Sequence, residues 1–234
     1  MEKTLGTVLI TGACGNLGRA VAAAFAQQGR RLALLDRDAG QLSAAFGPDD
    51  ASRMTLACDL RDAASVADAV RRAAEALGPV TVLCNVAGGF RMGEAVHETS
   101  DATWDFLMDL NVRSVLHTAR AVVPGMLAAG GGAIVNVGAG AAARGAARMS
   151  AYSASKSAVA RLTESMAAEL REGGVNVNCV LPSIIDTPEN RRDMPKADPS
   201  RWVSPADLAA VVAFLASPAA AAIHGASVPV TGLS

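Results

Sequence analysis

Short, uninterrupted apolar runs return along this chain at regular distances: Thr7–Thr11, Leu32–Leu35, Met54–Cys58, Val80–Cys84, Ala133–Val137, Val175–Val180 and Ser227–Val230. Apolar runs without alternation are typical of strands covered on both faces, as in a parallel sheet. Between them lie helical patterns over Arg19–Gln28, Ala63–Leu77, Asp101–Ala129, Ser150–Arg171 and Pro205–Ala216. Regular alternation of the two predicts right-handed crossovers and an α/β fold, a doubly wound, mostly parallel seven-stranded sheet with helices on both faces. One domain over residues 1–234 accounts for the length, and 51 % apolar with 18 % charged residues suits a large core.

Composition narrows the function. The formal charge is −1 and the arginines are scattered, so no nucleic acid partner is expected. Cys14, Cys58, Cys84 and Cys179 lie far apart, with no Cys-x-x-Cys and no His at ligand spacing, which predicts core thiols, no metal site and a cytoplasmic location. The N-terminal residues 1–6 lack a basic segment followed by an apolar signal core. The longest apolar stretch, Leu208–Ala216, is well short of the ~20 residues that span a bilayer, so no membrane partner is expected.

In a sheet of this type ligands sit beyond the carboxyl ends of the strands. The first strand runs into Gly12, Gly15, Asn16, Leu17 and Gly18, a glycine-bearing turn ahead of a helix. Such a turn lets backbone amides and the helix dipole meet a pyrophosphate. The second strand ends in Asp36, at the distance where a carboxylate accepts bonds from an adenosine ribose and repels a 2′-phosphate. This favours NAD over NADP, although Arg37 beside it offers some tolerance of the phosphate. After the fourth strand, Asn85-Val-Ala87-Gly88-Gly89 supplies a polar side chain and a flat backbone for a nicotinamide ribose.

The segment Met149-Ser-Ala-Tyr152-Ser-Ala-Ser-Lys156 holds the only tyrosine, four residues before one of three lysines. On a helix both side chains share a face. An ammonium beside the phenol is expected to lower the tyrosine pKa from about 10 and to make it a general acid/base.

With these pieces in place, the chain resembles the short-chain dehydrogenase/reductase family over nearly its whole length, and the sheet is then of Rossmann type. The resemblance rests on Thr11-Gly-x-x-Gly-x-Leu-Gly18, Asp36, Asp59-Leu60, Asn85-Val-Ala-Gly88, Asn111, Ile134-Val-Asn-Val137, Tyr152-x-x-x-Lys156 and Leu181-Pro182. It implies hydride transfer with a nicotinamide, Tyr152 as acid/base, Lys156 on the cofactor ribose, and Asn111 holding a water in the proton path. Asp59, Leu60, Pro182, Ile185 and Thr187 join the implied cofactor contacts. It also implies a homodimer or homotetramer built on the long helices around 101–129 and 150–171.

Two positions depart from the family pattern. Asn16 stands where glycine or alanine is usual, and Ala139 stands thirteen positions before Tyr152, where the family has its catalytic serine. Loss of one such donor costs on the order of 10²- to 10³-fold in rate. Ala87-Gly-Gly-Phe90, Gly138-Ala139 and Asp186 to Trp202 resemble dihydropteridine reductase, a serine-less branch that prefers NADH and reduces an electrophilic quinonoid dihydropterin. The expected function is therefore NADH-linked hydride transfer to an activated C=O or C=N group, with a non-catalytic NAD(H) sensor as the alternative. Residues 182–204 are expected to form the substrate loop, or lid, with Phe90, Ala139, Ile184, Ile185, Met194 and Trp202 as candidate contacts; the alternative for Met194 and Trp202 is to pin the loop to the surface, and for Phe90 to pack in the core.

Overall fold

The computed structural model describes residues 6–234 and contains a seven-stranded parallel sheet in the order β3-β2-β1-β4-β5-β6-β7. In chain order the elements are β1 (Thr7–Thr11), α1 (Asn16–Gln27), β2 (Leu32–Asp36), α2 (Ala39–Phe46), β3 (Arg53–Ala57), α3 (Ala63–Leu77) and β4 (Val80–Asn85). There follow α4 (Asp101–Met108), α5 (Ser114–Ala128), β5 (Gly132–Val137), α6 (Ser150–Leu170), β6 (Val175–Pro182), α7 (Pro188–Asp193), α8 (Pro205–Leu215) and β7 (Ser227–Val230). Most of residues 1–6, read above for export signals, lie outside the described residues.

All five residues of β1 are buried, because helices cover both faces of the sheet. Val8 and Ile10 face one layer with Val21 and Phe25 of α1 and Leu208 and Val212 of α8. Leu9 faces the other, with Val66 and Val70 of α3, Val122 and Met126 of α5 and Ala167 of α6. Strand winding reverses between β1, paired with β2 on one side, and β4 on the other. That switch point opens a crevice beyond the carboxyl ends of β1 and β4.

Three local features differ from the sequence reading. Helix α2 was not anticipated; Asp38 starts it by accepting from Gln41 N–H at 3.0 Å. The helix expected over Asp101–Ala129 is interrupted by a π-helical turn at Asp109–Arg113, which turns Asn111 into the interior. The substrate loop contains the short helix α7, capped by Thr187. Among the described residues no helix is long and apolar enough to cross a membrane, all four cysteines are free, and no His/Cys/Asp/Glu cluster suits a metal.

Candidate active site

The glycine turn after β1 is built by close backbone approach. Gly12 has φ +63°, and a Cβ there would lie 2.8 Å from Ala87 Cα, so the turns after β1 and β4 touch through it. A Cβ on Gly18 would strike the Gly12 carbonyl oxygen and come within 2.8 Å of Ala13 Cα. Thr11 Oγ1 accepts from Val86 and Ala87 N–H at 3.1 and 3.2 Å, tying the same two turns. No side chain caps α1 at Gly15, so its first-turn amides face the crevice with their share of the helix dipole.

Asp36 stands beside this turn. Its Oδ2 accepts from Cys14 N–H at 2.9 Å and its Oδ1 from Arg37 N–H at 2.7 Å, which fixes the carboxylate at the end of β2. Burial, with Asp36 next to it, pushes the Cys14 thiol up to about 11, leaving it unreactive at neutral pH. Asp59 forms a two-pronged bond to Arg61, which holds its carboxyl down at about 2. Leu60 is buried, and its carbonyl accepts from His117 Nδ1 at 2.9 Å.

Asn85 departs from the role anticipated for it. Its side chain turns inward, accepting from Thr118 Oγ1 and donating to Asn136 Oδ1, both at 2.8 Å. Asn136 in turn donates to Thr163 Oγ1 at 2.9 Å. This buried polar ladder crosses beneath the site, and a buried amide left unpaired would cost about 1–3 kcal/mol. Asn85 therefore shapes the turn and presents no free side chain to a ligand.

The backbone after Asn85 meets α6 through Asn111. Asn111 Oδ1 accepts from Gly89 N–H at 2.7 Å, and Nδ2 donates to Gly89 O at 3.1 Å and to Ser155 Oγ at 2.9 Å. Ser155 Oγ donates to the Tyr152 carbonyl at 2.8 Å. A Cβ on Gly88 would lie 3.0 Å from Lys156 Nζ and 3.1 Å from Asn111 Oδ1, a contact tight enough to press on both groups. Gly88, Asn111, Tyr152 and Lys156 thus converge on one side of the crevice.

Lys156 is buried and donates to Val137 O at 2.9 Å. Burial pulls its ammonium down to about 8 and pushes the Tyr152 phenol up to about 12. The sequence reading expected the lysine to lower the phenol instead. The reason for the difference is geometric: Lys156 Nζ is directed to a backbone carbonyl, and desolvation governs both groups.

Ala139, thirteen positions before Tyr152, is buried in extended backbone. Gly138 before it is confined, since a Cβ would come 2.7 Å from Leu181 Cδ2 and 2.9 Å from Cys179 Sγ. Ser150 Oγ pairs with Thr99 Oγ1 at 3.4 Å, and Ser153 Oγ is buried without a hydrogen-bond partner, one position round the helix.

Phe90 is exposed, with its ring edge-on to Tyr152 at 4.8 Å between centroids. Pro182 ends β6, and Ile185 begins the lid by bridging to Val203. Backbone bonds from Asp186 N–H to Val203 O and from Val203 N–H to Ile184 O clasp the lid base and bury Trp202, at 8 % exposure. Trp202 is thus buried where this loop meets the body. Met194 stays partly exposed at the end of α7. Asn16 Nδ2 donates to Glu189 Oε2 at 2.9 Å, joining the glycine turn to the lid. Ser155, Thr118, Thr163 and Glu189 were missed in the sequence; hydroxyls at 155 and 163, on the same helical face as Lys156, Val159 and Ala160, were the available signal.

The short chain dehydrogenase family model matches residues 6–198. D-threitol dehydrogenase of Mycolicibacterium smegmatis is 37 % identical over 96 % of this chain and 90 % of its own. Among solved structures, an NADPH-bound short chain oxidoreductase of Pseudomonas aeruginosa PAO1, described as containing an atypical catalytic center, superposes with a TM-score of 0.89 at 28 % identity, over 97 % of this chain and 95 % of that one. The 3-ketoacyl-(acyl-carrier-protein) reductase of Brucella melitensis, complexed with NADH, gives a TM-score of 0.87 at 28 % identity over 97 % of both chains.

Proposed function

We propose that this chain, which belongs to the short chain dehydrogenase family, is an NADH-linked oxidoreductase acting on an activated C=O or C=N group or its reduced form, with Tyr152 as acid/base. The observation that carries this is the convergence of Gly88, Asn111, Tyr152 and Lys156 beside the glycine turn. The residues fit a nicotinamide dinucleotide: the uncapped start of α1 and Gly12, Gly15 and Gly18 suit a pyrophosphate, and Asp36 suits an adenosine ribose. Asp36 also favours NADH over NADPH. The solved relatives include one with each cofactor.

When bound, the nicotinamide supplies or accepts the hydride. In reduction Tyr152 gives its proton to the substrate oxygen; in oxidation it takes one back. Burial keeps the phenol protonated near neutral pH, which suits proton donation. Lys156, released from Val137 O, would hold the cofactor ribose and favour the phenolate that forms. Asn111 fixes the Gly89 backbone against Ser155 and so keeps the nicotinamide side of the crevice in register with Tyr152.

Ala139 removes one donor to the substrate oxygen, so an electrophilic acceptor is favoured. The named activity of the D-threitol relative supports an alcohol/carbonyl pair, and a quinonoid dihydropterin remains the acceptor that needs least activation. A homodimer or homotetramer in the cytoplasm completes the proposal; Trp104 and Leu127, exposed on α4 and α5, support association through those helices.

Steady-state oxidation of NADH and NADPH with a panel of 1,2-diketones, simple ketones and a quinonoid dihydropterin tests it. NADH should be preferred and activated acceptors should lead. NADH binding without turnover of any acceptor would overturn the reading.

A further inference from the structure

Beside Tyr152 the two segments that border the open side of the site carry an apolar surface and cations without carboxylate partners. Phe90, Met92 and Val96 are exposed by 55, 58 and 76 %, and Phe90 continues this surface to the Tyr152 ring. Arg91, between Phe90 and Met92, lays its guanidinium over the Phe106 ring at 3.8 Å. Arg148, four residues before Tyr152, is held in the left-handed region at φ 63° by two bonds to Gly93: its Nη1 donates to Gly93 O at 2.8 Å and its carbonyl accepts from Gly93 N–H at 2.9 Å. The strained backbone thus fixes this arginine against the segment that carries Arg91.

The neighbouring acids are engaged elsewhere. Glu94 accepts from Ser100 N–H, Ser100 Oγ and Thr103 Oγ1 at the start of α4, and Glu98 accepts from Ala95 N–H with His97 Nε2 at 3.9 Å. On the lid, Arg191 is already neutralised by Asp186 at 2.6 Å. Residues 138–149 contain no acid at all.

An exposed apolar patch next to a reacting group marks a binding surface, and guanidinium groups without a carboxylate suit an anionic head. We propose that the substrate is an organic acid: Phe90 and Met92 take its apolar body, Arg91 and Arg148 take its anionic group, and its carbonyl reaches Tyr152. This deepens the oxidoreductase reading and rests on it.

The test compares 4-oxopentanoate with methyl 4-oxopentanoate, which share the reacting ketone and differ in charge. Wild type should show a kcat/KM at least about tenfold higher for the acid, a preference that shrinks with added salt. In the double variant Arg91→Ala/Arg148→Ala the ratio should fall toward one. Equal kcat/KM for acid and ester in wild type, or a ratio untouched in the variant, overturns the proposal.

Should neither ketone turn over, calorimetric titration with 4-methylpentanoate, which has no carbonyl to reduce, reads the anion site separately, while the acceptor panel above decides the oxidoreductase reading. Wild type should bind it at least about tenfold more tightly than the double variant; equal or absent binding overturns the anion site.

Discussion

The proposed cofactor side and the proposed substrate side of this crevice are built in opposite ways. Around the turns after β1 and β4, backbone lies on backbone: Gly12 touches Ala87, Gly18 backs onto Gly12 and Ala13, and Thr11 bonds across both turns. Around the segments after Ala139 and Phe90, the chain is exposed, alanine-rich and studded with cations. The contrast teaches that the position of the nicotinamide is set by packing that tolerates no added methyl, whereas the choice of substrate is left to side chains that can change without disturbing the sheet.

The largest break of that contrast is expected from Gly18→Val. The added Cβ overlaps the Gly12 carbonyl, so NADH binding should vanish and the Tm should fall by several degrees, read by fluorescence titration and thermal melting. A variant that binds NADH normally would contradict the close-packed reading.

On the other side, Ala139→Ser should be accepted without loss of stability and should raise kcat/KM on an unactivated ketone by about 10- to 100-fold, by restoring a hydroxyl donor. The gain on a 1,2-diketone should be much smaller. Equal gains on both would argue that Ala139 does not face the reacting oxygen.

Asp36→Asn comes next. It keeps the shape at the end of β2 but removes the charge, and should narrow the NADH-over-NADPH preference by about tenfold in kcat/KM. An unchanged ratio would move the ribose elsewhere.

The smallest effect lies in pH. Lys156 is held down at about 8 against 10.5 for an unfolded chain. Between those values the unfolded state binds more protons, so this group makes stability rise with pH across that window. Tyr152, raised from 10 to about 12, acts in the opposite sense only above pH 10. Thiols such as Cys14 and Cys179, raised by burial from 9 to about 11, oppose it above pH 9. The Lys156 contribution is therefore read as a difference: from pH 7.5 to 9.5 denaturant unfolding should show stability changing more favourably in wild type than in Lys156→Gln, and equal pH responses would contradict a desolvated ammonium.

The same contrast explains what the sequence revealed. Strands such as Val8–Thr11 and Val80–Cys84 read clearly because both their faces are buried, and the glycine turn reads clearly because close approach permits only glycine. Asn111 was identifiable as a residue, but not the π-helical turn that aims it, since that turn is stabilised by Gly89 and Ser155 from distant segments. Asn85 looked like a ligand contact because nothing local shows that Asn136 and Thr118 take up its amide. For Trp202 the sequence left contact and pin side by side, because its burial depends on the distant pairing of Ile185 with Val203.

The central proposal is that Tyr152 moves the proton with alanine, not serine, at position 139. Tyr152→Phe keeps the ring against Phe90 and removes only the hydroxyl, so the direct measurement is NADH-linked turnover of an activated ketone in this variant alongside its affinity for NADH. The expected result is a fall in kcat of about 10²- to 10⁴-fold with NADH affinity within about twofold of wild type. Turnover undiminished in Tyr152→Phe would contradict the account.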